Sequence, residues 1–515
     1  MVDNIDKKIN TAEELQIEKV GQEITFEGEQ PEGKFLEEED GSVVINPEEQ
    51  QEEGVPFGAN LADTMDDGDL ENLSNELQSD YNTDKSSREE WETGYTKGLD
   101  LLGFKYEERT RPFAGASGVY HPLLSESVVQ FQAQSYKELL PAGGPVRTQI
   151  IGATNPQVEA QSERVKDFMN YYISDVMEEY DPELDQMLFH LPLAGSAFKK
   201  IYYDGGMGRA VSKFIAAEDL VVPYMTSDLE SVERVTHIVK MTENEVKKQQ
   251  VSGFYRDVEI NPYEAENDIQ EKYDEMEGVK KEETYQDYTL LEMHVLLDLK
   301  GFEEESGIKV PYIVTIDEGS GKVLSIYRNF RKEDPNKKKI QYFVHYKFLP
   351  GLGFYGFGLI HMLGGLTRTA TAALRQLLDS GTLSNLPAGF KSRGFRIRDD
   401  DQPIQPGEFR DVDAPNGILR DSLLPLPYKE PSATLFNLLG FCVDAGRRFA
   451  SIADMKIAEG GSQEMPVGTT MALLERGTKV MSAIHKRLHY AQRIEFKLLP
   501  TTYVSIQCCR RRLFY

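Results

Sequence analysis

Apolar and polar positions divide the chain before any motif is considered. Residues 1–54 have few aromatics and carry acidic runs, Glu37-Glu38-Glu39-Asp40 and the Glu/Gln block 48–53, which predict a disordered arm. Leu61, Leu70, Leu73 and Leu77 predict a short amphipathic stretch over 60–80. A longer helix is predicted from Ser86-Ser87-Arg88-Glu89-Glu90-Trp91, with the serines capping and the acids in the first turn. Helical patterning returns at Pro122–Leu140 and at Gln157–Tyr180, where Asp181-Pro182 is expected to stop it. Strands follow at Phe198–Tyr203 and Val235–Met241, with a short element at Ala217–Val222 and a helix opened by Thr242. A charged, exposed stretch is expected over 257–287, then strands at Tyr288–Leu299, Pro311–Asp317, Lys322–Asn329 and Ile340–Leu349, the middle two joined by the hairpin signal Glu318-Gly319-Ser320-Gly321. From residue 359 the period becomes helical. Leu359–Leu378 is one helix, interrupted only by Gly364-Gly365, 384–431 a Pro/Gly-rich strand-like insert, Ser432–Lys456 a second helix, 459–466 a loop, and Thr469–Leu499 a third helix. The fold class expected is α+β.

Composition narrows the functional classes. The 515 residues hold 57 Lys+Arg against 86 Asp+Glu, a net charge of −29, and 40% are apolar, enough for real cores. The length fits about three domains. The charge is uneven: residues 1–90 hold 27 acidic and 6 basic side chains, a net of −21, and the remaining 425 hold 59 and 51, a net of −8. A tight nucleic-acid binder, which neutralises phosphates with Lys and Arg, is excluded. The three cysteines, Cys442, Cys508 and Cys509, frame no disulfide scaffold and fit a reducing compartment. An N-terminus acidic from Asp3, with no apolar run, leads to the expectation of no secretory leader.

Four motifs invite chemistry. Gly351-Leu352-Gly353-Phe354-Tyr355-Gly356 matches the dinucleotide fingerprint between a strand and a helix, and Asp379 follows at about the sequence spacing of a ribose-binding acid. Pro350 at the strand end and the bulky Phe354 and Tyr355 favour a structural turn instead. Phe348–Thr367 has no formal charge, but its glycines, proline and His361 favour a buried strand–turn–helix junction over a membrane span. His485 and His489 have metal-ligand spacing, yet Lys486 stands where a zinc-protease helix has its carboxylate base, so a solvated helix face is expected. Cys508-Cys509 before Arg510-Arg511-Arg512 is read as a disordered end. The sequence contains no P-loop and no GxSxG. No catalytic residue, metal or cofactor is assigned, and the expected protein is not an enzyme.

Specific strings add what composition does not. Asp84–Trp91 (DKSSREEW), Phe113–Pro122, Glu138–Val146 (ELLPAGGPV), Leu193–Asp204 (LAGSAFKKIYYD), Ala217–Pro223 (AEDLVVP), Phe348–Gly358, Asp379–Phe390 (DSGTLSNLPAGF) and Met465–Glu475 (MPVGTTMALLE) resemble the portal proteins, or head-to-tail connectors, of tailed bacteriophages, the podovirus type above all. The resemblance covers about residues 60–499.

The resemblance implies an acidic arm over 1–54, a wing over 55–358, a first stem helix over 359–383, a clip over 384–431, a second stem helix over 432–456, a tunnel loop over 457–467 and a wing-return helix over 468–499. Pro500–Tyr515 departs from the pattern, and the crown is expected to be missing. It also implies a homo-oligomer, a dodecamer, in the virion at the capsid portal vertex and in the host cytoplasm during assembly. Its expected partners are double-stranded DNA passing through, the terminase large subunit, major capsid and scaffolding proteins and tail adaptor proteins; no membrane is expected. Channel-lining residues are then expected among Arg447, Arg448, Lys456, Glu459, Gln463 and Glu464, and docking residues of the clip among Lys391, Arg393, Arg396, Arg398, Asp399 and Asp400. The alternatives are a nucleotide-binding enzyme using Gly351–Gly356 and an acidic capsid scaffold or adaptor.

Overall fold

The computed structural model describes residues 55–263, 267–280, 287–299, 301–302, 307–385, 389–391, 396–397, 412–413, 423–426, 428–449 and 482–500, with strand pieces at 36–37 and 43–44. The chain divides into two units, Met1–Pro56 and Phe57–Tyr515. In the first, Leu36–Glu37 pairs antiparallel with Val43–Val44; otherwise the expected disordered arm, 1–54, lies outside the described residues.

The second unit is α+β, with ten α-helices among the described residues. Helices α1 (Asp67–Ser86), α2 (Glu89–Leu99), α3 (Leu123–Leu139), α4 (Pro156–Tyr171) and α5 (Tyr180–Ala194) come first. Strands β1 (Ser196–Asp204), β2 (Arg209–Ile215), β3 (Leu220–Val221) and β4 (Arg234–Met241) follow, then α6 (Glu243–Val251) and α7 (Asp268–Glu277). Strands β5 (Tyr288–Leu297), β6 (Val310–Asp317), β7 (Val323–Arg328) and β8 (Phe343–Lys347) precede α8 (Leu359–Asn385). Two small pairs, β9 (Gly389–Lys391) with β12 (Leu423–Pro425) and β10 (Arg396–Ile397) with β11 (Val412–Asp413), separate α8 from α9 (Ala433–Phe449). The helix over 482–500 is α10.

Two antiparallel sheets carry the body. One has the order β8-β1-β2; the other is a meander, β3-β4-β5-β6-β7. The main core forms where Leu184, Leu188 and Leu191 of α5 and Val128 and Phe131 of α3 meet Phe198 and Ile201 of β1 and Leu488 of α10. Burial of that apolar surface is the dominant stabilising term, about 25 cal/mol per Å².

The structure departs from the sequence reading at several elements. Ser86 and Ser87 do not cap a helix: Ser86 ends α1, Ser87 Oγ donates to Asp84 O at 2.6 Å, and Arg88 is the N-cap of α2. Helix α4 passes into a π-helical turn, Tyr172–Val176, well before Asp181-Pro182. That pair lies in the first turn of α5, where a proline's missing N–H costs nothing. Helix α5 then ends at Gly195, whose φ of 84° closes an αL cap onto Leu191 O. The charged stretch 257–287 contains α7, anchored by buried Ile269. Helix α8 runs past Leu378 to Asn385, and Gly364-Gly365 does not interrupt it. Thr242 caps α6 as expected, and Glu245 completes a capping box that the sequence reading had not included.

Candidate functional site

Strings far apart in sequence meet at one joint. Arg88 is 5% exposed, so its guanidinium must be satisfied internally. Nη1 donates to Ala217 O (3.1 Å), Leu220 O (2.9 Å) and Tyr355 Oη (3.1 Å), Nη2 donates to Glu218 O, and Nε faces Glu92 at 2.8 Å. Tyr355 stacks on Trp91. Buried Glu218 accepts from Tyr273 Oη at 2.8 Å, and Tyr273 in turn meets Tyr95. Burial, then the Glu218 carboxylate, pushes Asp219 up to about 7. One cation thus ties α1–α2, the 217–220 turn and the 351–358 turn together.

The 351–358 turn is held by close backbone approach. A Cβ on Gly356 would lie 2.3 Å from Gly195 O, and one on Gly358 2.2 Å from Leu193 O. Gly356 N donates to Ser196 Oγ at 2.8 Å, Phe348 N to Gly195 O at 3.0 Å, and buried Phe354 stacks on Phe198. Of the three fingerprint glycines, Gly351 and Gly356 are closed off by this chain's own backbone, which favours the structural turn, while Gly353 keeps open space beside it. Phe348–Thr367 is a strand end, this turn and the start of α8, and no helix among the described residues is long and apolar enough to cross a membrane.

The string 113–122 lies along α8. Ser117 N donates to Asp379 Oδ1 at 2.7 Å, His121 N to Thr371 Oγ1 at 3.1 Å, and Arg375 Nε to Val119 O at 2.9 Å. Asp379 also faces Arg109 at 3.9 Å, and Arg375 pairs with Glu107 at 2.8 Å. Asp379, which the fingerprint reading set against a ribose, holds a backbone amide here. Beside it opens a cleft of about 1220 Å³ between α2 and α8.

The residues nominated from sequence fall in several places. Arg447 Nη2 faces Glu126 of α3 at 3.4 Å within the same chain; Arg448, one residue on, is exposed. Lys456, Glu459, Gln463 and Glu464 lie outside the described residues, as do Arg393, Arg398, Asp399 and Asp400. Lys391 ends β9 and Arg396 begins β10, on the two small pairs of the insert. The His485/His489 face is not simply solvated: His485 Nε2 meets Ser135 Oγ at 3.1 Å and packs near Phe131, while exposed His489 faces Glu138 at 3.5 Å. Among the described residues no group of three or more His, Cys, Asp or Glu is placed to hold a metal. Sequence reasoning assigned no role to Arg88, Glu218 or the α2–α8 cleft. The quoted strings contain the first two, but what pairs them is distance in space.

No protein-family model matches the chain, and no curated protein matches it.

Proposed function

We propose that this chain is the subunit of a portal ring, the channel at one capsid vertex through which double-stranded DNA is packaged by a terminase motor and later ejected. The observation that carries the reading is the order helix α8, small β insert, helix α9 on an α+β body. Ser380 Oγ at the end of α8 donates to Lys429 O just before α9, so the two helices form an antiparallel hairpin with the insert at its tip. In the portal reading these are the two stem helices and the clip. Further support comes from the strings that resemble portal proteins: Arg88, the 217–220 turn, Gly195–Ser196 and the 351–358 turn form one continuous joint.

The electrostatics suit passage rather than capture. A body with a net of −8 per chain outside residues 1–90, repeated around a ring, repels phosphates and leaves few places to hold them. Arg448 on α9 is the exposed cation proposed for weak, exchangeable contact with DNA. Arg447, compensated by Glu126, is proposed for a smaller share. The insert, with Lys391 and Arg396 on its strands and Arg393, Arg398, Asp399 and Asp400 between or beside them, is proposed as the docking platform for terminase and tail adaptors. ATP hydrolysis belongs to the terminase partner in this reading.

Negative-stain electron microscopy of the purified chain tests it. Rings with a central hole wide enough for a duplex, about 20 Å or more across, are the expected result. A strictly monomeric, compact particle at every concentration removes the reading.

A further inference from the structure

We infer that the 217–220 turn is a proton-controlled latch: it seats Arg88 and Tyr355 while the Asp219 carboxyl carries a proton, and it loosens its hold on both when that proton leaves. The latch lies within one chain and goes beyond the ring reading, which it neither needs nor supports.

The turn concentrates negative charge, and its nearest cation is committed elsewhere. Glu218 and Asp219 are consecutive in the three-residue 3-10 turn Ala217–Asp219. The Arg88 guanidinium grips this turn through the main chain, at the carbonyl oxygens of Ala217, Glu218 and Leu220. Its ion pair goes to Glu92, not to either acid of the turn. Glu218 is buried; Oε1 accepts from Tyr273 Oη, and Oε2 is enclosed with no hydrogen-bond partner among the described residues. Asp219 is half-buried, so a proton can reach it, and its carboxyl makes no hydrogen bond or ion pair with another described residue.

The surroundings favour the neutral acid. Besides Glu218, Asp219 is faced by Arg88 at the start of α2, Lys240 on β4 and Tyr81 on α1. Glu218 is faced by Tyr95 on α2, Tyr273 on α7 and His190 on α5. Burial holds the His190 imidazole below 6.5 and the three phenols above 10, so these four lie to either side of the neutral range. Asp219 lies within it, pushed up from 3.8 to about 7 by burial first and the Glu218 carboxylate second, with Lys240 and Arg88 pulling the other way. The stability contributed by the neutral acid is therefore intact below pH 3.8 and lost as pH rises through about 7.

Ionising Asp219 sets two carboxylates side by side on a lightly held turn. Strand β3, which follows it, is two residues long and pairs at Leu220–His237 and Val221–Thr236. Moving the turn outward to hydrate the new charge withdraws its carbonyls from Arg88. It also withdraws Leu220 O from Tyr355 Oη, which donates to it at 3.0 Å. Tyr355 belongs to the turn that leads into α8, so the latch couples pH to the seat of that helix.

Trp91, the one tryptophan of the sequence, stacks on Tyr355 and lies 5.9 Å from the Arg88 guanidinium, so its fluorescence reports on the latch. The test follows Trp91 emission of the full chain from about pH 5 to about pH 9, with far-UV circular dichroism alongside. The parent is expected to show a reversible red shift centred near pH 7, with unchanged circular dichroism. Asp219→Asn, which keeps the shape of the neutral acid, is expected to hold the low-pH emission throughout. Glu218→Gln removes the neighbouring charge and is expected to move the midpoint to lower pH. His190→Gln is expected to keep the shift. A parent emission flat across the range overturns the latch, as does a shift that survives in Asp219→Asn or that disappears in His190→Gln. Circular dichroism that changes together with the emission marks general unfolding and overturns it too. Should Asp219→Asn fail to fold, Glu218→Gln decides: a midpoint left in place overturns the latch.

Discussion

Two neighbouring lysines on one strand build two different joints. Lys199 and Lys200 are consecutive on β1, so the strand's alternation sends them to opposite faces. Lys199 meets Glu495 of α10 at 3.3 Å with both side chains fully buried, 3.9 Å above the Tyr180 ring. Ser212 donates to the same carboxylate at 2.6 Å, and Tyr346 Oη donates to its other oxygen. Lys200 points to the five-stranded sheet and meets Glu292 at 2.5 Å, with 14% and 19% of the two side chains still exposed; His294 Nε2 faces that carboxylate at 2.8 Å. One joint is sealed and fastens the C-terminal helix. The other joins the two sheets and keeps some solvent. The difference teaches that an ion pair's leverage on stability follows its burial more than its distance.

The largest effect should come from the sealed joint. Lys199→Ala leaves the Glu495 carboxylate buried without its cation and is expected to cost about 3–5 kcal/mol in urea unfolding at fixed protein concentration. Replacing both partners, Lys199→Met with Glu495→Met, is expected to cost far less, because no orphan charge remains. A single variant no worse than the double would break the contrast between the two joints. Lys200→Ala should rank second, at roughly 1–3 kcal/mol, since water reaches Glu292 and His294 remains its partner.

What was legible in the sequence, and what was not, follows the same line between local and distant causes. The Thr242 N-cap, the 318–321 turn and the strands β5 and β6 depend on residues a few positions apart, and each stands close to where it was read. Lys199-Lys200 was legible only as part of a strand. Their partners lie 296 and 92 residues away, so nothing nearby announces that each ammonium group meets a carboxylate. Asp181-Pro182 misled because a proline that ends one helix is equally at home in the first turn of the next. Helix α7 hid inside a charged run because only Ile269, Tyr273 and Met276, among seven polar or charged residues, mark its inner face. The GLGFYG turn was weighed toward packing from its bulky residues. Its actual tenant, the Gly195 backbone, could not be read without the fold.

The two joints should also fail at opposite ends of the pH scale. Burial, then the Glu495 charge, raises the Tyr180 and Tyr346 phenols well above their ordinary 10. The folded phenols therefore stay protonated where the unfolded ones ionise, and the stability they contribute is intact below about pH 10 and lost as pH climbs beyond it. Burial, then the Lys200 cation, holds His237 down to about 3 from 6.5. The unfolded imidazole takes up a proton that the folded one refuses, so that contribution is intact above pH 6.5 and lost as pH falls from 6.5 toward 3. Glu292 acts in the same direction: although burial pushes it up, Lys200 and the His294 hydrogen bond draw it well below 4.5, so its share disappears as pH falls through that range. The measurement is the dependence of unfolding free energy on pH, not its value at one pH. Tyr346→Phe should flatten the alkaline limb and leave the acid limb unchanged; His237→Gln should flatten the acid limb and leave the alkaline one. If either substitution altered both limbs alike, the joints on the two faces of β1 would be one cooperative network, and the separation drawn from strand alternation would fail.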